Sequence, residues 1–296
     1  MANETTTTSL TELIPAEKIE EIVGQENRAT PIYDFISWRK DMSQPGAGAT
    51  WAVPAWDASE VPAGTKAETA EFTNVEATLS DIVITPGVVG LSRELTDPAA
   101  QDAKQNAEEM FLLNLRAMKQ RLTTDLLALA TSATNTSNFS GTNFDLDDWG
   151  ACTAAFDAQF PYAGFSRVLL GHTNLIRDFK IAVRNSGASL EATGRGLGLL
   201  EMFEGQVYMF EGYTIVSSAL LPQFDASNDS SMLVVVGNDA NRTWSTLARG
   251  MWWDLKNEIE RDAKKQTNNL ITSARYGVGI TKQANLREVV AKKAAA

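Results

Sequence analysis

One unbroken apolar stripe limits what this chain can become. Phe111, Leu115, Met118, Leu122, Leu126 and Leu129 advance in steps of three and four, the spacing that lines one side of an α-helix. Thr96-Asp97-Pro98 stands before the stripe, with Asp97 as the predicted N-cap and Pro98 at the first helical position. The acids Asp102, Glu108 and Glu109 fall early and Arg116, Lys119 and Arg121 later, the order that the helix macrodipole favours. Running unbroken from about Asp97 to Thr131, such a helix is about 50 Å long at ~1.5 Å per residue.

The segments before it have apolar side chains but no core of their own. Pro15 opens a predicted helix over Ala16 to Val23, and Pro31-Ile32-Tyr33-Asp34-Phe35-Ile36 is apolar between polar flanks. This arm, Met1 to Ser43, is expected to lie across its own domain or across a neighbour. From Gln44 to Thr78 the chain is punctuated by Pro45, Gly46, Gly48, Pro54, Pro62 and Gly64, with Trp51 and Trp56 among them. That reads as a long β-hairpin or extended loop with its tip near Glu60 to Lys66. The tryptophans argue against plain disorder and call for a partner surface.

Leu79 to Pro86 and Gly87 to Leu91 read as strands around a turn. After the long helix, Thr131 to Gly141 reads as a polar loop, and the pattern then becomes α/β. Leu146 to Phe160 is a predicted helix capped by Asp145 or Asp147. Arg167 to Gly171 is a buried strand and His172 to Asn185 a second helix. Ser186 to Leu199 is Gly-rich and expected to be mobile. Strands are predicted at Gln206 to Phe210, Tyr213 to Ser217 and Met232 to Gly237. Alternation in Leu255 to Val290 predicts long strands.

Composition narrows the function. The chain has 296 residues and a formal charge of -11, a poor balance for gripping a phosphate backbone, though compatible with enclosing one. One cysteine, Cys152, excludes an intrachain disulfide and a thiolate metal cluster. One histidine, His172, leaves histidine triads and multi-histidine metal sites without their parts. Met1 to Leu13 lacks the basic and apolar regions of a secretion signal, and no stretch is long and apolar enough to cross a bilayer.

Asp145-Leu146-Asp147-Asp148 lacks the spacing and glycine of a calcium loop. Gly194-Arg195-Gly196-Leu197-Gly198 lacks the preceding strand and the Lys-Ser/Thr pair of a phosphate loop. No catalytic residue, cofactor or metal is nominated. The cations Arg261, Lys264, Lys265, Arg275, Lys282, Arg287, Lys292 and Lys293 cluster late, while Glu4, Glu12, Glu17, Glu20, Glu21 and Glu26 make the arm acidic. These are either two solvated faces or opposite ends that attract between neighbouring subunits.

Two segments carry a family likeness. Phe210-Glu211-Gly212-Tyr213-Thr214-Ile215-Val216-Ser217-Ser218-Ala219-Leu220-Leu221-Pro222 looks like a strand leading to a Pro-ended turn. Ile271-Thr272-Ser273-Ala274-Arg275-Tyr276-Gly277-Val278-Gly279 resembles a pair of closing strands. With the arm, the Trp-bearing loop, the long helix and the α/β region in this order, nearly the whole chain resembles the major capsid proteins of tailed bacteriophages. That is the Hong Kong 97-like α+β fold, shared with encapsulins.

The resemblance implies an N-terminal arm at 1–43 and an extended loop at 44–78. It implies a peripheral domain at 79–144 and 254–296, with the spine helix at about 97–131, and an axial domain at 145–253. It also implies a subunit without enzymatic activity that self-assembles into hexamers and pentamers, closing an icosahedral shell around double-stranded DNA without reading its sequence. The virion is the expected location, after assembly in the bacterial host cytoplasm, with a separate scaffolding protein, a portal and a decoration protein as further partners and no membrane.

Tyr33, Phe35, Trp51, Trp56, Lys66 and Arg275 are the candidate inter-subunit contacts. Lys66, the loop's one lysine, stands where some members crosslink to a neighbour. Removing about Gly46 to Thr73 is then expected to leave a folded core that no longer closes shells. Two alternatives remain open at this point, an encapsulin-type compartment and an α/β enzyme with the Gly-rich segment as its lid.

Overall fold

The computed structural model of the protein describes residues 32–44, 48–57, 78–97, 107–158, 166–185, 200–201, 206–236 and 245–293. The predicted helix at Ala16 to Val23, the Gly-rich stretch Ser186 to Leu199 and the loop tip with Lys66 lie outside them. The elements in chain order begin with α1 (Ile32–Ile36), β1 (Ser37–Asp41), β2 (Trp51–Asp57), β3 (Thr78–Ile84), β4 (Gly87–Thr96) and α2 (Ala107–Leu127). A 3₁₀ turn at Ala128–Ser132 leads to β5 (Asn135–Phe139), α3 (Leu146–Asp157), β6 (Ser166–His172) and α4 (Thr173–Asn185). Then follow β7 (Leu200–Glu201), β8 (Gln206–Phe210), β9 (Tyr213–Ser218), β10 (Asn228–Val236), β11 (Leu247–Asp262), β12 (Thr267–Ile280) and β13 (Leu286–Lys292).

The strands form three sheets. One has seven strands in the order β5-β13-β10-β6-β9-β8-β7, one has four in the order β1-β11-β12-β4, and β2 pairs with β3 alone. The seven-stranded sheet is covered on both faces, because successive side chains of a strand point to opposite sides. Leu169, Ile215, Leu233, Val235 and Val289 face α3 and α4, packing with Trp149, Phe156 and Phe179. Val168, Leu170, Val216, Met232, Val234 and Leu286 face the other way, joining Leu122, Leu126, Leu127 and Ala130 at the end of α2. All nine residues of β10 are buried as a result.

α2 realises the predicted stripe: Phe111, Leu115, Met118, Leu122 and Leu126 are all buried, and the 3₁₀ turn carries the segment on to Ser132. It lies on one face of the four-stranded sheet, where Asn114 takes a bond from Arg93 Nε at 2.7 Å and gives one to the Leu270 carbonyl at 3.1 Å. The predicted cap of the long helix falls at the edge of the described residues. The Asp97 carboxylate is held by Arg261, with Nη2 at 2.7 Å from one oxygen and Nη1 at 2.9 Å from the other. α3 is capped as expected, by Asp145 in a reciprocal box with Asp148.

Several expectations from sequence change. Thr131 to Gly141 is not all loop, since Asn135–Phe139 forms β5 beside β13. Its polar sequence hid a strand that touches one neighbour only and leaves alternate side chains in solvent. Leu79 to Pro86 and Gly87 to Leu91 are strands but do not pair together, because β3 joins β2 and β4 joins β12. Ile32–Ile36 is one helical turn.

Sheet membership also divides the chain differently from the boundaries drawn from sequence. β5 and β13 belong with the strands of the α/β region, and the boundary at 253/254 falls inside β11, which runs from Leu247 to Asp262.

Candidate assembly surfaces

β2 and β3 form a hairpin whose root is fastened to the subunit. Trp51, Val53 and Ile84 are buried with Met42, Ala248 and Trp252, on the face of the four-stranded sheet opposite α2. Glycines make room there. Gly250 and Gly277 are cross-strand partners. A Cβ on Gly277 would come within 2.7 Å of the Thr85 carbonyl oxygen, and one on Gly250 within 3.2 Å of the Trp51 ring. Trp252 Nε1 donates to the Gly48 carbonyl at 2.9 Å, and Trp38 meets Trp51 edge-on with centroids 5.0 Å apart. The root is therefore core. Excising Gly46 to Thr73 would strip Trp51 and Val53 from it, so the expectation that this deletion leaves an intact core is corrected.

The end of the arm is fastened as well. Arg249 is 2% exposed, pairs with Asp34 and stacks on Tyr33 with its guanidinium carbon 4.6 Å from the ring centroid. Burial, reinforced by Asp34, pushes the Tyr33 phenol up to about 12. Tyr33 and Trp51 thus spend their side chains inside their own subunit. Phe35 packs partly buried beside Tyr33 and Ile36. Trp56 is placed by its backbone on β2, opposite Leu79.

Arg275 stands on β12 opposite Trp253, with its guanidinium carbon 5.6 Å from that ring, while Lys256 approaches the same ring at 5.5 Å. Arg249, Trp253 and the glycine floor were not singled out from sequence. Gly277 and Gly279 are spaced two apart in a strand pattern, which puts both on one face and was a legible sign of a close approach.

The four-stranded sheet beyond the hairpin root presents an open face. Along β11 the exposed residues are Asp254, Lys256, Glu258 and Glu260, and along β4 they are Gly87, Val88, Gly90, Ser92 and Glu94. Val83 and Val88, at 58% and 65% exposure, flank the turn between β3 and β4.

The groups with chemical potential are engaged in structure. His172 Nδ1 is 3.0 Å from Asp229 Oδ2, and its backbone N–H donates to Ser231 Oγ. The Cys152 thiol is buried, pushed up to about 12 by that burial, and donates to the Trp149 carbonyl. Among the described residues no three His, Cys, Asp or Glu side chains are grouped to hold a metal, and no helix is long and apolar enough to cross a membrane.

No family model matches the sequence, and no curated protein matches it. Solved structures do. The capsid of the cyanophage P-SCSP1u aligns over 90% of this chain and 89% of its own, with 13% identity and a TM-score of 0.62. The mature capsid of bacteriophage PhiM1 aligns over 88% and 86%, with 12% identity and a TM-score of 0.59. The holo complex of the SrpI encapsulin from Synechococcus elongatus PCC 7942 aligns over 87% and 85%, with 10% identity and a TM-score of 0.61. The chain has the Hong Kong 97-like fold, the α+β architecture shared by phage capsid proteins and encapsulins.

Proposed function

We propose that this chain is a major capsid protein, the repeating subunit of an icosahedral shell built from hexamers and pentamers around the double-stranded DNA of a tailed phage. One observation carries the reading. The hairpin β2–β3 is locked into the subunit at its root, yet twenty residues, 58–77, lie between its strands. A root of that rigidity is suited to aiming a long excursion at a neighbour. Contacts repeated by symmetry then close the shell, and each can be weak. The acidic balance of -11 suits a wall that contains DNA without adhering to it.

In this reading Lys66 acts on the excursion, Trp56 at its base on β2, Phe35 at the end of the arm and Arg275 on the open sheet face. The four-stranded sheet with α2 is the peripheral unit and the seven-stranded sheet with α3 and α4 the axial one. The subunit works by geometry and carries out no reaction, its place is the virion, and a scaffolding protein and portal are its expected partners during assembly. The encapsulin match, at a TM-score of 0.61 against 0.62 for the cyanophage capsid, supports a compartment as the second reading.

The test replaces residues 58–77 by Asn-Gly. Asp57 and Thr78 are paired directly across the hairpin, so a two-residue turn fits and the buried root is kept. The full chain should form shells or capsomer rings in negative-stain electron microscopy and sedimentation velocity. The shortened chain should melt at the same temperature and stay small. Closed shells from the shortened chain would remove the assigned role of the excursion. A full chain that stays monomeric with scaffold and crowding agents would overturn the shell. Nucleic acid or a cargo enzyme inside the particles decides between the two containers.

A further inference from the structure

The open face of the four-stranded sheet is electrically lopsided. Cross-strand partners share a face, so its side chains fall into rows running across β11, β12 and β4. The row at the far end is Glu260, Asn269 and Glu94, and the next is Glu258, Ile271 and Ser92. Nearer the hairpin come Lys256, Ser273 and Gly90, then Trp253, Arg275 and Val88. Glu94, Glu258 and Glu260 are exposed, stand in two adjacent rows around the half-buried Ile271, and make no ion pair among the described residues. Like charges so placed repel one another and destabilise the sheet slightly.

The matching cations stand close by, on a part of the chain that is held stiffly. β11 and β12 are joined by Ala263, Lys264, Lys265 and Gln266, all exposed. The Asp262 carboxylate accepts from the backbone N–H of Lys264 at 3.0 Å and of Lys265 at 3.3 Å. Gln266 takes the left-handed conformation at φ 54, and its carbonyl accepts from Asp97 N–H at 3.0 Å. Arg261 clamps both sides of the turn through Asp97 and Asn268. Lys264 and Lys265 thus project from a braced tip and make no ion pair among the described residues. Of the cations from Arg261 to Arg275, Arg261 is consumed by Asp97 and Arg275 stacks on Trp253, which leaves Lys264 and Lys265 presented together at the turn.

We infer that the Lys264–Lys265 turn of one subunit docks on the Glu258, Glu260 and Glu94 rows of a second copy, with Ile271 as the apolar centre of the contact. Charge complementarity selects the partner: one chain carries an acidic patch and a cationic tip, neither of them ion-paired among the described residues. Glu260 is four residues from Lys264, a separation of about 13 Å along an extended strand. Two opposite patches that close together can meet their counterparts around a single rotation axis passing beside the tip. The contact rests on the shell reading and adds to it a second point of assembly, independent of the hairpin excursion. Rim charges of this kind set specificity and rate more than affinity.

A charge swap in the full chain tests it, read by sedimentation velocity and electron microscopy with the melting temperature as control. K264E/K265E should raise the protein concentration needed for assembly by at least about tenfold, because like charges then face each other at every copy of the contact. E258K/E260K should do the same. The two double variants mixed, or all four changes in one chain, should recover assembly, and wild-type assembly should weaken with added salt. Unchanged assembly by both double variants, or a fourfold variant no better than either, would overturn the contact while leaving the shell intact. A wild-type chain that never assembles overturns both.

Discussion

The two large sheets of this molecule are built to different ends, and β10 and β11 show how. β10 is buried at all nine positions, with helices on one side and the shared core on the other. β11 is buried from Leu247 to Trp252, where the hairpin root and β1 cover it. From Trp253 onward it alternates between half-buried and exposed, because α2 covers only one of its faces there. The seven-stranded sheet satisfies itself. The four-stranded sheet stops half covered and leaves a charged face in solvent. An open face is a liability in a solitary protein and useful in one that meets many copies of itself. On the shell reading proposed above, the first sheet serves folding and the second serves assembly.

Substitutions in each region should separate the two. The largest effect on folding is expected from Trp149→Ala. Trp149 is 1% exposed, lies within 5.2–5.6 Å of the Phe179, Phe210 and Tyr213 ring centroids, and donates from Nε1 to Glu211 at 2.8 Å. Truncation there should cost about 3–5 kcal/mol, measured by urea unfolding, with assembly lost only because the subunit unfolds. A smaller loss, about 1–3 kcal/mol, is expected for Gly277→Val, whose side chain would press on the backbone at Thr85. Here assembly should fall much more than stability, since the change tilts the hairpin root and leaves the seven-stranded sheet alone. Equal losses of both properties in both variants would erase the distinction between the sheets.

How far the sequence reveals this arrangement follows the same divide. The stripe from Phe111 to Leu126, the capped helix behind Asp145 and the apolar run Arg167 to Gly171 were legible, since each has a period and a partner inside one domain. β5 was not, because Asn135-Thr136-Ser137-Asn138-Phe139 has turn-like composition and gains its strand character only from β13. The start of β11 was misplaced because Leu247 to Trp252 is buried on both faces and so lacks alternation. Of the candidate contacts, Tyr33 and Trp51 turned out to be core, each completed by a residue about two hundred positions away, Arg249 and Trp252 among them. An aromatic residue in a coreless stretch signals that it needs a surface. It does not say whether that surface belongs to its own chain.

The smallest effect expected comes from a titrating histidine at the end of a strand of the seven-stranded sheet. His172, at the end of β6, has Nδ1 3.0 Å from the Asp229 carboxylate of β10 and accepts there from the Asn174 N–H at 3.3 Å; the carboxylate accepts from Asn174 Nδ2 at 3.1 Å, and Ser231 and Lys293 stand nearby. Burial holds the imidazole below its ordinary 6.5; Asp229 opposes that shift and Lys293 adds to it. Below 6.5 the unfolded chain therefore takes up the proton more readily than the folded one, so stability present at neutral pH is lost as the pH falls. Asp41, Asp97 and Asp225, whose carboxyls are held below their ordinary 3.8 by hydrogen bonds to Ser43, Arg261 and Asn228 respectively, lose their contribution only in stronger acid. Between pH 7 and 5.5 the melting temperature of the wild type should fall by about 2 °C more than that of His172→Gln, which keeps a polar side chain beside Asp229 without the titration. Identical slopes for the two proteins would mean that protonation of His172 is not felt by the sheet, and that its stability is as indifferent to charge as its buried strands suggest.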